Sequence, residues 1–166
     1  MRLRSILARC YCLLCITSLS LGCFQDATIL ARNDKAAIFK VCLTIALIEK
    51  QLPDNHFFNK AEFIPLSVKN IEGDSIPNIP GLNLRLLDST QLSRRADSLG
   101  DFTFMEFHKI VQMPNGSIMI TLYHSWALSQ KTRNRRVMMM SGGELDILCC
   151  KRFGEWVGEV TRSGIY

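Results

Sequence analysis

The sequence predicts an α+β fold in which an N-terminal helix packs on a curved antiparallel sheet of four or more strands. Three patterns predict it. Apolar residues recur every three or four positions between residues 33 and 52, as they do on one face of a helix. An Asn-Gly pair, Asn115-Gly116, separates two strand-like runs and is a strong hairpin signal. Alternating side chains continue from residue 144 to residue 161, which indicates further strands.

The predicted helix carries a broad apolar stripe, which suits a helix that lies across a sheet. Asn33 or Asp34 is expected to cap its start by accepting backbone hydrogen bonds, and Pro53 is expected to stop it. The stripe comprises Ile38, Val41, Cys42, Ile45, Ile48 and Leu52.

Two short strands and a second helix are predicted next. Residues 61–68 form the first strand, and Pro65 places it at an edge of the sheet, because proline cannot donate to a strand ladder. Residues 82–87 form the second strand. A helix then begins at a Ser89 cap and ends near Gly100.

Residues 102–113 and 117–128 flank the Asn-Gly pair and are predicted to form a hairpin. With that pair as a two-residue loop, His108 lies opposite Tyr123. One face is then apolar and the other polar, which fixes the register. The predicted core face holds Met105, Phe107, Val111, Ile120, Leu122 and Trp126, and the polar face holds Glu106, His108, Thr121, Tyr123 and Ser125.

The first residues of the chain are typical of an export signal. Three arginines within the first nine residues precede an uncharged, largely apolar run at residues 10–24, which is shorter than the roughly 20 residues of a bilayer-spanning helix. Residues 1–22 are therefore interpreted as a signal peptide. Residues 23–166 then form a single α+β domain that is exported, whether periplasmic, membrane-anchored or extracellular.

Ser20-Leu21-Gly22-Cys23 spans the predicted cleavage site. It resembles the lipobox of bacterial lipoproteins, although Ser20 and Leu21 exchange their usual places. The resemblance implies acylation of Cys23 and a membrane tether. Secretion without a lipid is the alternative.

Composition limits the function classes. Removing residues 1–22 takes away three arginines and no acidic residue, so 20 basic residues become 17 against 15 acidic ones, which gives no footprint for nucleic acid. No cofactor motif is present, and within residues 23–166 no Cys-x-x-Cys or paired-His spacing indicates a metal site. The sequence is consistent with a disulfide between Cys42 and either Cys149 or Cys150. It is equally consistent with buried free thiols.

The C-terminal part of the chain carries a family resemblance. Its motifs are Ser141-Gly142-Gly143, the tail at residues 151–158, Asp101-Phe102 and the strand end at Trp126. Together they resemble uncharacterised bacterial exported proteins with a cystatin-like or NTF2-like fold. The resemblance covers about residues 100–166. It implies a helix wrapped by a curved sheet, often with a cavity, and it carries over no catalytic residue.

The polar hairpin face supplies the candidate site residues. Glu106, His108 and Tyr123 lie within cross-strand reach, so the carboxylate could orient the imidazole as a base and the phenol could donate a proton. Thr121, Tyr123 and Ser125 are candidate ligand contacts. A plain solvated strand face is the alternative. His124, on the apolar face, is interpreted as a core residue.

Lys131, Arg133, Arg135 and Arg136 form a basic run between two predicted strands. A solvated loop is one interpretation, and contact with an anionic partner or membrane surface is the other, since each basic residue near a charged bilayer contributes about 1 kcal/mol.

Two functional hypotheses follow from the sequence. The first is a non-enzymatic exported binding or interaction module for a small ligand or protein partner. The alternative is a small cavity enzyme using Glu106, His108 and Tyr123.

Overall fold

The computed structural model describes residues 30–59, 61–71, 76–135 and 140–166. The fold is α+β, as predicted. Its helices are α1 (Arg32–Leu43), α2 (Ser89–Leu99) and α3 (Gln130–Arg133), with a π-helical turn at Thr44–Ile48 and a 3-10 turn at Asn55–Phe58. Its strands are β1 (Ile64–Ser67), β2 (Leu84–Leu87), β3 (Phe102–Gln112), β4 (Ile118–Ala127), β5 (Gly143–Arg152) and β6 (Glu155–Ile165).

Several predictions concern residues outside this description. The signal peptide at residues 1–22, Cys23 and Arg136 lie there. Export, acylation and the role of Arg136 therefore stay predictions.

The six strands form one mixed sheet in the order β2-β1-β3-β4-β5-β6. Strands β3 to β6 are antiparallel neighbours, as predicted. The expectation of a wholly antiparallel sheet is wrong, because β1 runs parallel to both β2 and β3. Helix α2 connects β2 to β3 and allows the chain to return in the same direction.

The predicted edge position of Pro65 is wrong, because β1 lies between β2 and β3. The backbone amide of Ile64 donates to Asn83 at 2.7 Å and that of Val68 to Leu87 at 3.1 Å, both on the β2 side. The residues that alternate with these two, including Pro65, point their backbone nitrogens toward β3. Pairing with β3 is limited to one bridge, Leu66 with Met105, so the missing N–H is tolerated.

The structure shows neither of the two predicted helix caps. Helix α1 follows Ala31, which makes no side-chain cap, and Asp34 lies inside the first turn. Helix α2 is capped by Asp88 rather than Ser89. The Asp88 carboxylate accepts from the Gln91 amide, and the Gln91 side chain accepts from the Asp88 amide, so a capping box satisfies two backbone donors.

The register of the β3–β4 hairpin differs from the predicted one. Tyr123 pairs with Glu106 instead of His108, because the loop is longer than two residues and a bulge at His108 shifts the ladder. The bulge also reverses the faces to which the next side chains point. Ile110 therefore packs against the core, where Val111 was predicted.

Helix α1 and the inner face of the sheet enclose the main core. Phe39 of α1 lies 4.5 Å from Phe107 of β3, measured between ring centroids. The predicted core residues Met105, Phe107, Ile120 and Leu122 are fully buried, whereas Trp126 is half-buried. On the outer face a smaller cluster lies beneath α2 and comprises Phe63, Leu87, Leu92, Ala96 and Ala127. The hairpin residues Glu106, Thr121, Tyr123 and Ser125 lie on this outer face as well, together with Met119 and Leu148.

Candidate functional site

An open groove of about 710 Å³ runs between α1, with its π-helical turn, and the first half of β6. Its walls combine apolar and charged side chains, which is the usual composition of a ligand site. The apolar lining includes Ala37, Val41, Ile45, Trp156 and Val157, and the charged lining comprises Asp34, Lys40, Glu49 and Glu155.

Gly158 brings the helix close to β6 at the base of this groove. A Cβ atom at this position would lie 2.7 Å from the Cδ1 atom of Ile45 and 2.8 Å from a Cγ atom of Val41. Such distances are well inside van der Waals contact. The glycine therefore sets the spacing between the two walls.

Asp34 joins the two walls at one end of the groove. Its Oδ1 atom accepts hydrogen bonds from the Trp156 indole at 2.7 Å and from the Lys151 ammonium at 3.1 Å. These bonds hold the pKa of Asp34 below its ordinary value, the Trp156 contribution being the larger. The Lys151 nitrogen also lies 5.7 Å from the centroid of the Trp156 ring. The indole is thus held in a fixed orientation.

Strand β6 is the last strand of the sheet, and within residues 30–59, 61–71, 76–135 and 140–166 it pairs only with β5. Phe153 and Gly154 form its two-residue hairpin loop, both with positive φ, at 52° and 87°. The residues that flank such a loop exchange both hydrogen bonds, and the pattern then alternates. The N–H and C=O groups of Trp156, Gly158 and Val160 consequently point away from β5.

A bulge divides this free edge. Asp146 pairs with Arg162, whereas the next residue, Ile147, pairs with Val160, so Thr161 is extra in β6. Bulges interrupt edge-to-edge pairing. The regular stretch of the edge is therefore residues 155–160, the stretch that begins beside the groove.

The predicted catalytic candidates do come together, on the outer face of the sheet. The Oε1 atom of Glu106 lies 3.3 Å from Nδ1 of His108, and the His108 ring is stacked on Tyr123 with centroids 4.2 Å apart. Glu106 is buried, whereas the His108 side chain is 42% exposed. Loss of hydration and then the charge of Glu144 raise the pKa of Tyr123.

The predicted ligand contacts on this face are engaged with other protein groups. Thr121 donates a hydrogen bond of 2.6 Å to Asp146. The Ser125 hydroxyl lies 3.3 Å from the hydroxyl of Tyr166, which also donates to the backbone carbonyl of His124 at 3.3 Å. Outward-facing side chains thus satisfy one another across β4, β5 and the C-terminus.

The basic run is divided by structure. Lys131 and Arg133 belong to α3, and Arg133 pairs with Asp97 of α2 at 3.3 Å. Asp101 accepts from the Ser129 amide and the Thr132 hydroxyl, which ties this segment to the end of α2. Lys131 and Arg135 are exposed.

The groove residues were not predicted as a site. Asp34 and Trp156 are 122 positions apart, and no local pattern connects them. The sequence predicts Asp34 as a possible helix cap and Trp156 only as part of a strand. The one signal that could have indicated a close approach is Gly158 inside an otherwise regular strand, since such a glycine often marks a packed backbone.

No family model, curated protein or solved structure matches this chain. Among the described residues, no helix combines the length and apolar character needed to cross a membrane. In the same part of the chain, no three His, Cys, Asp or Glu side chains are grouped so that they could hold a metal ion.

Proposed function

We propose that this protein is an exported, non-enzymatic binding module whose groove between α1 and β6 receives an extended peptide segment as an added strand on β6. The observation that carries the proposal is the position of the groove of about 710 Å³ beside the outward-pointing backbone groups of β6. Strand addition obtains affinity from main-chain hydrogen bonds and specificity from pockets for alternate side chains.

The charge of the groove favours a peptide that carries lysine or arginine. Its lining has three carboxylates, Asp34, Glu49 and Glu155, against one ammonium, Lys40. Asp34 already pairs with Lys151. Glu49 and Glu155 are exposed and available to a basic side chain, while Val41 and Ile45 offer an apolar wall to its neighbours.

Export is part of the proposal and is supported by the sequence of residues 1–22. A lipid on Cys23 would hold the groove near a membrane, and the intact mass of the mature protein tests this. An unmodified mature N-terminus would exclude the tether and leave simple secretion.

The proposal also includes a cystatin-like or NTF2-like arrangement for the part of the chain that carries that resemblance, about residues 100–166. Its support is the antiparallel order of β3, β4, β5 and β6 together with α1, which packs on the inner face of these strands. Strands β1 and β2 lie outside the resembling region.

The binding experiment uses an eight-residue fluorescent peptide of alternating valine and lysine, with an alternating valine and glutamate peptide as its control. Fluorescence anisotropy should show the lysine peptide binding more tightly. Replacing Glu49 and Glu155 by lysine should weaken it by about tenfold, as expected for two partly screened ion pairs. Glu62→Lys is the matched control, since Glu62 is exposed and outside the groove.

Strand addition is tested through the peptide backbone. Two further peptides carry N-methyl groups on alternate residues, one set on odd and the other on even positions. Only one set of amides faces β6 in an added strand, so one peptide should lose binding and the other should keep it. Equal affinities for both would contradict strand addition, and no binding by any peptide would contradict the proposed ligand class.

A second candidate function is the small cavity enzyme. It is favoured by the contact of 3.3 Å between Glu106 and Nδ1 of His108, which orients the imidazole as in general-base sites. Hydrolysis of an activated aryl ester, measured against pH for the wild type and for His108→Asn, tests it. A binding module predicts that the two rates differ by no more than the rate of a free imidazole, whereas a His108-dependent rate far above that level supports the enzyme.

A further inference from the structure

Two cysteines meet in the centre of the core, away from the groove and from the polar face. The Sγ atom of Cys42 in α1 lies 3.5 Å from the Sγ atom of Cys149 in β5. Both residues are fully buried, and 107 positions separate them in the sequence. The fold therefore brings together two thiols that no local pattern would pair.

We propose that Cys42 and Cys149 become a disulfide when the protein folds in an oxidising compartment, so that a covalent bond fastens α1 to β5. The sulfur atoms would have to approach from 3.5 Å to the bonding distance of about 2.0 Å. That movement is small enough for side-chain rotation and a slight shift of the helix.

The oxidant is a small-molecule disulfide of the glutathione type. The thiolate of one cysteine attacks it, forms a mixed disulfide and releases one small thiol. The thiolate of the second cysteine then attacks the protein sulfur of that mixed disulfide, which forms the Cys42–Cys149 bond and releases the second small thiol. Two electrons pass to the reagent, and the protons of the two cysteine thiols end on the two released thiols.

The reaction belongs to folding rather than to the finished structure. Burial raises the pKa of the Cys42 thiol, so the thiolate of Cys42 is disfavoured once the core has closed. Neither sulfur is then open to a reagent. The bond should therefore form while α1 is still docking, and the completed core should protect it from reductant.

The geometry also distinguishes Cys149 from its neighbour. Successive side chains of a strand point to opposite faces, and Cys149 faces the core between Ile118 and Gly158. Cys150 is half-buried and faces outward. It is the more accessible thiol, but the sheet separates it from Cys42.

The proposed bond is independent of the proposed peptide site, although it acts on the same helix. Cys42 is followed by Leu43 and preceded by Val41, which lines the groove. A covalent link here fixes one wall of the groove. The bond could exist without any peptide binding, and the peptide could bind to the reduced protein.

The test folds the full chain in a glutathione redox buffer, blocks the remaining thiols with iodoacetamide, and maps the linked peptides without reduction. A Cys42-containing peptide should be joined to the peptide that holds Cys149 and Cys150. The same link should persist in Cys150→Ser and disappear in Cys149→Ser. Reduction should lower the thermal midpoint of the wild type and of Cys150→Ser by about 10 °C, and that of Cys42→Ser much less.

Two results would overturn the proposal. Cys42 and Cys149 could both carry the alkyl label after oxidative folding, which would make them free thiols. Alternatively, the link could be lost in Cys150→Ser and kept in Cys149→Ser. Because the map reports covalent bonds directly, variants that fold poorly do not obscure the wild-type result. Failure of peptide binding has no effect on this measurement.

Discussion

The two faces of β4 carry different kinds of side chain. Ile118, Ile120, Leu122 and His124 point toward the main core and are at most 1% exposed. Thr121, Tyr123 and Ser125 alternate with them and point to the outer face, where their polar groups meet other side chains. Even-numbered residues of β4 thus pack in the core, and odd-numbered residues face outward. The effect of a substitution on stability should depend on which face the residue occupies.

The largest effect is expected on the inner face, at Phe107 of β3. Its ring is fully buried and lies 4.5 Å from the ring of Phe39, so Phe107→Ala removes that contact and leaves a cavity. We expect the free energy of unfolding to fall by about 3–5 kcal/mol in urea titrations. His108→Ala is the control, because His108 is the next residue in the strand and its side chain is exposed. It should lower the free energy of unfolding by less than about 1 kcal/mol. Similar losses for the two variants would contradict the division between faces.

The same contrast separates what the sequence could predict from what it could not. The antiparallel run from β3 to β6 follows from turn residues and alternation that lie close together in the chain. The position of β1 depends on its pairing with β2 and with β3, and β3 follows only after α2 in the chain. Pro65 suggested an edge position, which is wrong. Local signals therefore predicted the antiparallel half and missed the parallel one.

The candidate sites divide in a similar way. Glu106, His108 and Tyr123 were expected to be neighbours, and they are, although through a bulge that changes which residues pair. The groove could not be predicted, because the contact of Asp34 with Trp156 joins the first helix to the last strand. An alternating pattern indicates which face a side chain takes, but a bulge or a distant helix is decided by tertiary packing.

His124 is the exception on the inner face, and it gives the second prediction. It is fully buried among Phe57, Phe58 and Trp126, and neither ring nitrogen has a hydrogen-bond partner. Loss of hydration lowers its pKa below the ordinary 6.5, with Asp54 opposing and His56 assisting that shift. The folded protein therefore keeps this ring neutral.

The sign of the pH effect follows from linkage. The unfolded chain binds a proton on His124 near pH 6.5, whereas the folded chain resists it, so the stabilisation is complete above that pH and is lost as the pH falls below it. His124→Leu should flatten this part of the profile. It should also raise the free energy of unfolding at pH 7 by about 1–2 kcal/mol, because an unpaired buried polar group is removed.

Urea titrations between pH 5 and pH 8 measure both effects. His56→Gln is the matched control, since the His56 side chain is 64% exposed, and it should change the slope much less than His124→Leu does. A wild-type profile that is flat across this range would show that His124 finds a partner in solution. That outcome would remove the exception and make the inner face uniform.

The smallest effect is expected at Thr121, which lies on the outer face. Its neighbour in the chain, Leu122, points inward. Its hydroxyl donates to Asp146 at 2.6 Å, and Thr121→Val keeps the shape of the side chain while removing that donor. Asp146 is half-buried, so water can replace part of the lost bond, and we expect a cost of about 1 kcal/mol. Thr121→Ser keeps the hydroxyl and should cost less. If Thr121→Val cost as much as Phe107→Ala, the outer network would be as important for stability as the core, because a single hydrogen bond cannot account for such a loss.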